Sequence, residues 1–292
     1  TEMVTAPALK HGDVPRHLDF DPSEAPLALQ LGGSDPAELA HAAKLGERWG
    51  YDEINLNCGC PSERVQSGSF GACLMAEPSL VADCVRAMRD AVEVPVTVKH
   101  RIGLDANQDY GFVRDFVGTL ADAGCDVFIV HARNAVLKGL SPKENREVPP
   151  LRYEVVHRLK RDFPRATIVL NGGLADWRTI EAELGAVDGV MLGRTAYHDP
   201  YFLAHVDVRL FGDDTPPRTR AAVLEAMLPY VAAQFARGTP LRSIARHMLG
   251  LYHGCSGGRR YRQLLSDARR LDGAGPELLR EALATVEPAL SD

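Results

Sequence analysis

Short apolar stretches rich in β-branched residues recur along the first two thirds of the chain. Seven of them have the length of a β-strand and are mostly apolar at consecutive positions; they cover residues 2–5, 27–31, 53–57, 96–100, 127–131, 167–171 and 189–193. Strands that are apolar on both faces are typical of a parallel sheet covered by helices. The pattern therefore predicts a parallel sheet built from residues 2–193.

Amphipathic stretches with clear end signals lie between these strands. Asp35-Pro36-Ala37-Glu38 combines an N-cap residue, a proline at the first helical position and a capping-box glutamate, and it predicts a helix that runs to Trp49. Residues 110–123 place four apolar side chains on one helical face, namely Val113, Phe116, Val117 and Leu120. Gly50 and Gly124 end these two helices, and Asp176 and Asp199 start two more. Strands that alternate with helices indicate an α/β protein.

Two α/β architectures fit this order, an open doubly wound sheet and a closed (β/α)8 TIM barrel. The chain has neither the Gly-x-Gly-x-x-Gly fingerprint of dinucleotide folds nor a Walker A loop. Polar residues end six of the strands: Gln30, Asn57, Lys99, His131, Asn171 and Arg194. Because a barrel gathers the ends of its strands on one catalytic rim, we predict the barrel. A barrel needs eight strands and the pattern supplies seven, so we expect the first strand and its helix to lie upstream of Thr1.

The pattern changes after Phe211. Residues 212–217 have the composition of a linker, and the apolar positions beyond it follow helical spacing: Leu224, Met227, Leu228 and Val231, then Ile244, Met248 and Leu251. We predict a catalytic barrel domain over residues 1–211 and a small all-helical domain over residues 218–292.

Composition narrows the class of protein. Hydrophobic residues make up 45% of the 292 positions, which excludes a disordered low-complexity chain. No apolar run approaches the ~18 residues of a membrane span, and the first residues lack the pattern of a signal peptide. The six cysteines lie mostly in or beside apolar runs, as reduced thiols do. These features predict a cytoplasmic globular protein.

The charge is divided unevenly along the chain. The net charge is −6, but residues 218–292 hold 11 Arg against 7 Asp and Glu, so this tail is basic and the remainder is acidic. A basic tail on an acidic body is compatible with an RNA partner.

The segment Asn57-Cys58-Gly59-Cys60-Pro61 carries the densest candidate chemistry. A cysteine is most often a small buried apolar residue, but Cys60 lies between a glycine and a proline just past a strand, on the predicted rim. The pair Cys58 and Cys60 has no second pair of cysteines or histidines at ligand spacing, so no metal site is predicted.

Basic residues and glycine turns share the same rim. Lys99 ends an apolar strand, where a cation is expected to meet an anion or an electron-rich ring. A single histidine at a strand end is more often a core residue than a ligand or base. His131 shares the rim with Lys99 and Arg101, and this favours a functional role. Asn171-Gly172-Gly173 and Gly193-Arg194 follow the last two strands, where many barrels bind phosphate. The rim therefore predicts a phosphorylated ligand.

With these residues assembled, the chain resembles the tRNA-dihydrouridine synthases along essentially its whole length. The family motif Asn-x-Gly-Cys-Pro stands here as residues 57–61. Residues 131–135, 139–143 and 145–151 are similar to the subfamily that acts on D-loop uridines at tRNA positions 20 and 20a.

The resemblance implies an oxidoreductase that converts these uridines to 5,6-dihydrouridine, with FMN as cofactor and NADPH as reductant. It implies that hydride passes from flavin N5 to uracil C6 and that Cys60 gives the proton to C5, as a thiol that is protonated at neutral pH can do. The residues implied to hold FMN are Gln30, Lys99, His131, Asn171, Gly172, Gly173, Gly193 and Arg194. Those implied to contact tRNA are Asn57, Lys143, Arg146, Arg259 and Arg262.

Two other functions stay open from the sequence. One is a flavin-dependent barrel reductase of a free small molecule, in which the basic tail and the Lys143–Arg146 loop would have no purpose. The other is a non-catalytic tRNA-binding relative without flavin. We expect no membrane contact and no obligate protein partner.

Overall fold

The computed structural model describes residues 1–286 apart from 64, 66 and 67. The chain divides into two compact units, Thr1–Met191 and Leu192–Asp292.

The first unit contains one parallel sheet of seven strands. In chain order these are β1 (Val4–Thr5), β2 (Ala28–Gly32), β3 (Glu53–Cys58), β4 (Val96–Arg101), β5 (Val127–His131), β6 (Thr167–Asn171) and β7 (Gly189–Met191). Each strand pairs in parallel with the next along the chain, from β1 at one side of the sheet to β7 at the other. This order is that of a (β/α) barrel, so the predicted fold class is confirmed, and every predicted strand is found within two residues of its expected bounds.

Helices connect the strands on the outside of the sheet. They are α1 (Ala6–His11), α2 (Val14–Leu18), α3 (Pro36–Trp49), α4 (Pro78–Arg89), α5 (Tyr110–Asp122), α6 (Tyr153–Asp162) and α7 (Trp177–Leu184). Short 3₁₀ turns lie at Pro22–Glu24, Gly71–Ala76 and Glu144–Arg146.

The end signals of α3, α5 and α7 act as the sequence predicts, whereas Asp199 is followed only by a 3₁₀ turn, Pro200–His205, which its side chain does not cap. The Asp35 carboxylate accepts a hydrogen bond from the Glu38 amide at 2.8 Å, and Gly50 has a left-handed φ of 92° at the other end of α3. Asp176 caps α7 by accepting from the Thr179 amide at 2.9 Å. In α5 the four apolar residues of the predicted face are all buried.

Strand register places the predicted polar residues in neighbouring positions. Gln30 pairs with Asn55, and Asn55 pairs with Thr97. Two residues nearer the carboxyl ends of these strands, Asn57 pairs with Lys99. Arg101, His131 and Asn171 then form a row across β4, β5 and β6. Because residues two apart on a strand share a face, these side chains gather at one rim of the sheet.

The second unit is helical among its described residues. Its helices are α8 (Arg194–His198), α9 (Val206–Leu210), α10 (Arg220–Ala236), α11 (Leu241–Ala245), α12 (Gly258–Ser266), α13 (Ala268–Leu271) and α14 (Glu277–Ala284), and a 3₁₀ turn spans Pro200–His205. Its core includes Leu224, Leu228 and Val231 from α10 together with Tyr261 and Leu279. None of the described helices is long and apolar enough to cross a membrane.

Two boundaries in this region differ from those read in the sequence. The first compact unit ends at Met191, whereas the barrel domain is predicted to end at Phe211; that division by function stays a prediction. The spacing of Ile244, Met248 and Leu251 predicts one helix, but α11 ends at Ala245 and turns follow. Gly250 lies against the carbonyl of His198, where a Cβ would come within 2.4 Å, so this close approach of two backbones replaces the helix.

Candidate active site

The backbone of Cys60 is held on both sides. The Asn57 side-chain oxygen accepts hydrogen bonds from the amides of Gly59 at 3.0 Å and of Cys60 at 2.9 Å. The Cys60 carbonyl accepts from the Ala72 amide at 2.9 Å. A Cβ at Gly71 would come within 2.6 Å of that carbonyl, so glycine is required where the two segments meet. The half-buried Cys60 thiol therefore stands on a fixed loop at the end of β3.

A chain of side-chain amides joins this loop to β2. Asn57 Nδ2 donates to Gln30 Oε1 at 2.7 Å, and Gln30 Nε2 donates to Asn55 Oδ1 at 2.8 Å. Asn55 in turn donates to the hydroxyl of Thr97 at 2.8 Å. Gln30 thus has a defined orientation, with one N–H and one lone pair left for another partner.

Asn57 should control the order of the Cys60 loop, and exchange of backbone hydrogen tests this. Replacing Asn57 with alanine removes the acceptor of two amides, and we expect the Gly59 and Cys60 amides to exchange about 10-fold faster. Asn57→Asp keeps the acceptor, so these amides should stay protected. Equal exchange in the two variants would contradict the assignment.

Two cations lie close to Cys60. The Lys99 ammonium group forms no hydrogen bond or ion pair with the part of the chain that the structure describes. Burial lowers the pKa of Lys99 to about 8; the charge of Arg101 contributes to this decrease, and the Cys60 side chain opposes it. Burial also lowers the pKa of Arg101 to about 10. An ammonium group without an acidic partner inside a rim favours an anionic ligand.

His131 and the first glycine turn pack tightly together. The His131 ring lies against Gly172, where a Cβ would come within 2.6 Å of the ring, and Gly172 has φ of 112°. The Tyr153 hydroxyl donates to the Gly172 carbonyl at 2.6 Å, and Asn171 Nδ2 donates to the Met191 carbonyl at 2.7 Å. The turn after β6 is therefore rigid and accepts only glycine at position 172.

Gly193 and Arg194 belong to the second unit. Both are exposed, and Arg194 is the first residue of α8. Their assignment to a phosphate site with residues 171–173 stays a prediction.

The loop after β5 presents two basic residues on a self-supported turn. Ser141 and Glu144 form a capping box, with each side chain bonded to the other's amide at 3.2 and 2.8 Å. Asn145 is fully buried and exchanges hydrogen bonds of 2.8 Å with both backbone groups of Val136. Lys143 and Arg146 flank it and are exposed. This arrangement suits contact with a polyanion.

In the second unit, α12 has one apolar and one basic face. Tyr261 and Leu265 are buried, whereas Arg259 and Arg262 are exposed. Among the described residues, neither of these two guanidinium groups forms a salt bridge. Because their charges are not neutralised locally, they are available for an anionic partner.

Three residues of this rim have contacts that the sequence did not reveal: Asn55, Arg101 and Asn145. Asn55 and Arg101 each lie two positions from a predicted site residue, Asn57 and Lys99, so the period of a strand places them on the same face. Asn145 had no such signal, because only the folded loop shows that it is buried. Among the described residues no group of three His, Cys, Asp or Glu side chains could hold a metal ion.

Comparison with known proteins gives one consistent family. The sequence model of the family described as dihydrouridine synthase (Dus) matches residues 1–287. A protein of Pseudomonas syringae pv. tomato named tRNA-dihydrouridine(20/20a) synthase is 60% identical over 266 residues, which cover 91% of this chain and 79% of the relative. A protein of the same name from Xanthomonas campestris pv. campestris is 57% identical over 97% of this chain and 84% of its own. Another from Vibrio parahaemolyticus is 52% identical over all 292 residues and 89% of its own length.

Proposed function

The chain belongs to the dihydrouridine synthase family, and on this basis we propose that it reduces uridines of the tRNA D-loop to 5,6-dihydrouridine with FMN and NADPH. Its relatives carry the name of an enzyme that acts at positions 20 and 20a. The observation that supports this proposal most directly is the amide chain from Gln30 through Asn57 to the backbone of Cys60. It ties the proposed flavin-holding side chain to the proposed proton donor.

The residues present fit FMN. Lys99 is a cation without an acidic partner in the described residues, and Gln30 has one donor and one acceptor to spare. The glycine turn beside His131 is held in one conformation by His131 and the Tyr153 hydroxyl, which suits a backbone site for a phosphate. When bound, FMN supplies the hydride that uracil C6 receives. Gln30, Lys99, His131, residues 171–173, Gly193 and Arg194 are proposed to hold it.

The chain's own residues then have separate tasks. Cys60 delivers a proton to uracil C5. Lys99 lies near that thiol, and its charge favours the negative charge that develops on the ring before protonation. Lys143, Arg146, Arg259 and Arg262 bind the tRNA and offset the few kcal/mol needed to unstack the target uridine.

Lys99 should make FMN binding depend on pH. Its pKa of about 8 means that Lys99 is charged below this pH and neutral above it. We expect the affinity of the apoprotein for FMN to fall about 10-fold as the pH rises from about 7 to about 9, because a charged partner of an anion is lost.

Quenching of flavin fluorescence measures this affinity. Lys99→Met should bind FMN weakly at both pH values, with the pH dependence lost. Lys44→Met, which removes an exposed lysine of α3, is the control and should behave as the wild type. The assignment of Lys99 is wrong if the Lys99 variant keeps the full pH dependence.

One experiment tests the proposed function as a whole. The protein is purified, its flavin spectrum is recorded, and it is incubated with unmodified tRNA and NADPH before nucleoside mass spectrometry. We expect a flavin spectrum and dihydrouridine in the digested tRNA. Bound flavin without dihydrouridine would favour a reductase of a free small molecule, and tRNA binding without flavin would favour a non-catalytic relative.

A further inference from the structure

A buried guanidinium group joins the loop after β3 to two points of the loop after β5, at the rim. Arg101 is only 3% exposed. Its Nε donates to the Gly59 carbonyl at 3.1 Å, and its Nη1 donates to the carbonyls of Asn134 at 3.2 Å and Asn145 at 2.8 Å. All three acceptors are backbone carbonyls that lie 33 to 44 residues from Arg101 along the chain. Gly59 is in the loop after β3, whereas Asn134 and Asn145 are at the beginning and in the middle of the loop after β5.

Each of these three carbonyls lies close in sequence to a residue of the proposed site. Gly59 precedes Cys60, Asn134 follows His131 by three positions, and Asn145 lies between Lys143 and Arg146. The Gly59 peptide is bound at both ends, because its amide donates to Asn57 and its carbonyl accepts from Arg101. A substitution of Arg101 would therefore loosen the Cys60 loop and the Lys143–Arg146 turn at the same time.

The groups around Arg101 do not compensate for the burial of its positive charge, so a contribution to folding stability does not explain this residue. Its titratable neighbours are the Cys60 side chain and two other guanidinium groups, Arg146 and Arg133, and no carboxylate is among them. A buried cation that is satisfied only by carbonyl oxygens loses much hydration, and an apolar side chain would fill the same volume at lower cost. The guanidinium group instead provides several N–H donors in fixed directions, because it is planar and rigid.

We propose that Arg101 is a positioning residue, which holds the Cys60 loop and the Lys143–Arg146 turn at one fixed separation. The proposal rests on the proposed function. When tRNA is bound by the Lys143–Arg146 turn, this separation places the target uridine within reach of the Cys60 thiol. Arg101 acts here through the two loops and not by contact with the substrate.

Two variants separate geometry from charge. Arg101→Lys keeps the cation but cannot reach three carbonyls in different directions, and Arg101→Met removes both properties. Arg114→Met, which removes an exposed arginine that pairs with Asp115, is the matched control. Circular dichroism first checks that each variant is folded.

Hydrogen exchange provides the readout that does not depend on activity. In the wild type the Cys60 amide is bonded to Asn57, and the Val148 amide is bonded to the Glu144 carbonyl at 2.7 Å. In Arg101→Lys we expect both amides to exchange about 10-fold faster, and we expect trypsin to cut after Lys143 and Arg146 sooner. Unchanged exchange at both amides in Arg101→Lys overturns the proposal, whether or not Arg101→Met folds.

Steady-state kinetics with tRNA complete the test. We expect kcat/KM for tRNA to fall about 10-fold in Arg101→Lys, while reduction of bound flavin by NADPH stays as in the wild type. Wild-type kinetics in Arg101→Lys would mean that charge suffices and would also overturn the proposal. If the wild type itself forms no dihydrouridine, the proposed function fails, and the exchange data still report on the coupling of the two loops.

Discussion

Replacing Cys60 with alanine should abolish dihydrouridine formation while FMN stays bound and is still reduced by NADPH. A positioned general acid contributes about 10²- to 10⁴-fold to a rate, so product formation should fall by at least 100-fold. Nucleoside mass spectrometry of tRNA after incubation with enzyme and NADPH measures the loss. Stopped-flow absorbance of the flavin measures its reduction separately.

The geometry makes this substitution specific for the thiol. The loop is held through the amide and carbonyl of Cys60, which bind Asn57 and Ala72, and alanine retains both groups. Only the sulfur and its proton are lost, so the side chains on the neighbouring strands that are proposed to hold flavin should keep their positions. A defect in flavin reduction is therefore not expected.

Cys73 provides a matched control for removal of a thiol. Its sulfur donates to the Phe70 carbonyl at 3.1 Å, in the same part of the barrel, but it has no place in the proposed mechanism. Cys73→Ala should form dihydrouridine at the wild-type rate. Undiminished product in Cys60→Ala, or an equal loss in both variants, would contradict the role of Cys60 as the acid.

The sheet could be predicted from the sequence because its signal is local. A strand buried on both faces needs a continuous apolar run, and residues such as Val96–Val98 or Val127–Val130 satisfy that need within a few positions. The polar residue that ends each run lies on the rim for the same reason. Asn57, Lys99 and His131 could therefore be placed from their own strands alone.

The contacts that organise the rim could not be predicted in this way. Arg101 binds carbonyls that are distant in sequence, and carbonyls occur at every residue, so no side-chain motif marks its partners. The end of α11 is a similar case, because it depends on the approach of Gly250 to His198. Long-range backbone contacts such as these leave no trace in local residue patterns.

The proposed contact of the second unit with tRNA leads to the other large effect. Replacing Arg259 and Arg262 together with glutamine should weaken tRNA binding about 100-fold at physiological salt, since each charged contact with a phosphate is worth about 10-fold. The dependence of log affinity on log salt should also become shallower by about 0.7 to 0.9 per lost contact. Filter binding or fluorescence anisotropy at several salt concentrations measures both quantities.

The stability of α12 should survive this change, because the helix is held by Tyr261 and Leu265 on its buried face. Flavin reduction by NADPH should stay as in the wild type, since it needs no tRNA. The control is the double variant Arg86→Gln and Arg114→Gln, which loses the same charge from two exposed arginines that are already paired with Asp83 and Asp115. If the control lowers the salt dependence as much as the α12 variant does, net charge alone drives binding and the assignment of Arg259 and Arg262 is wrong.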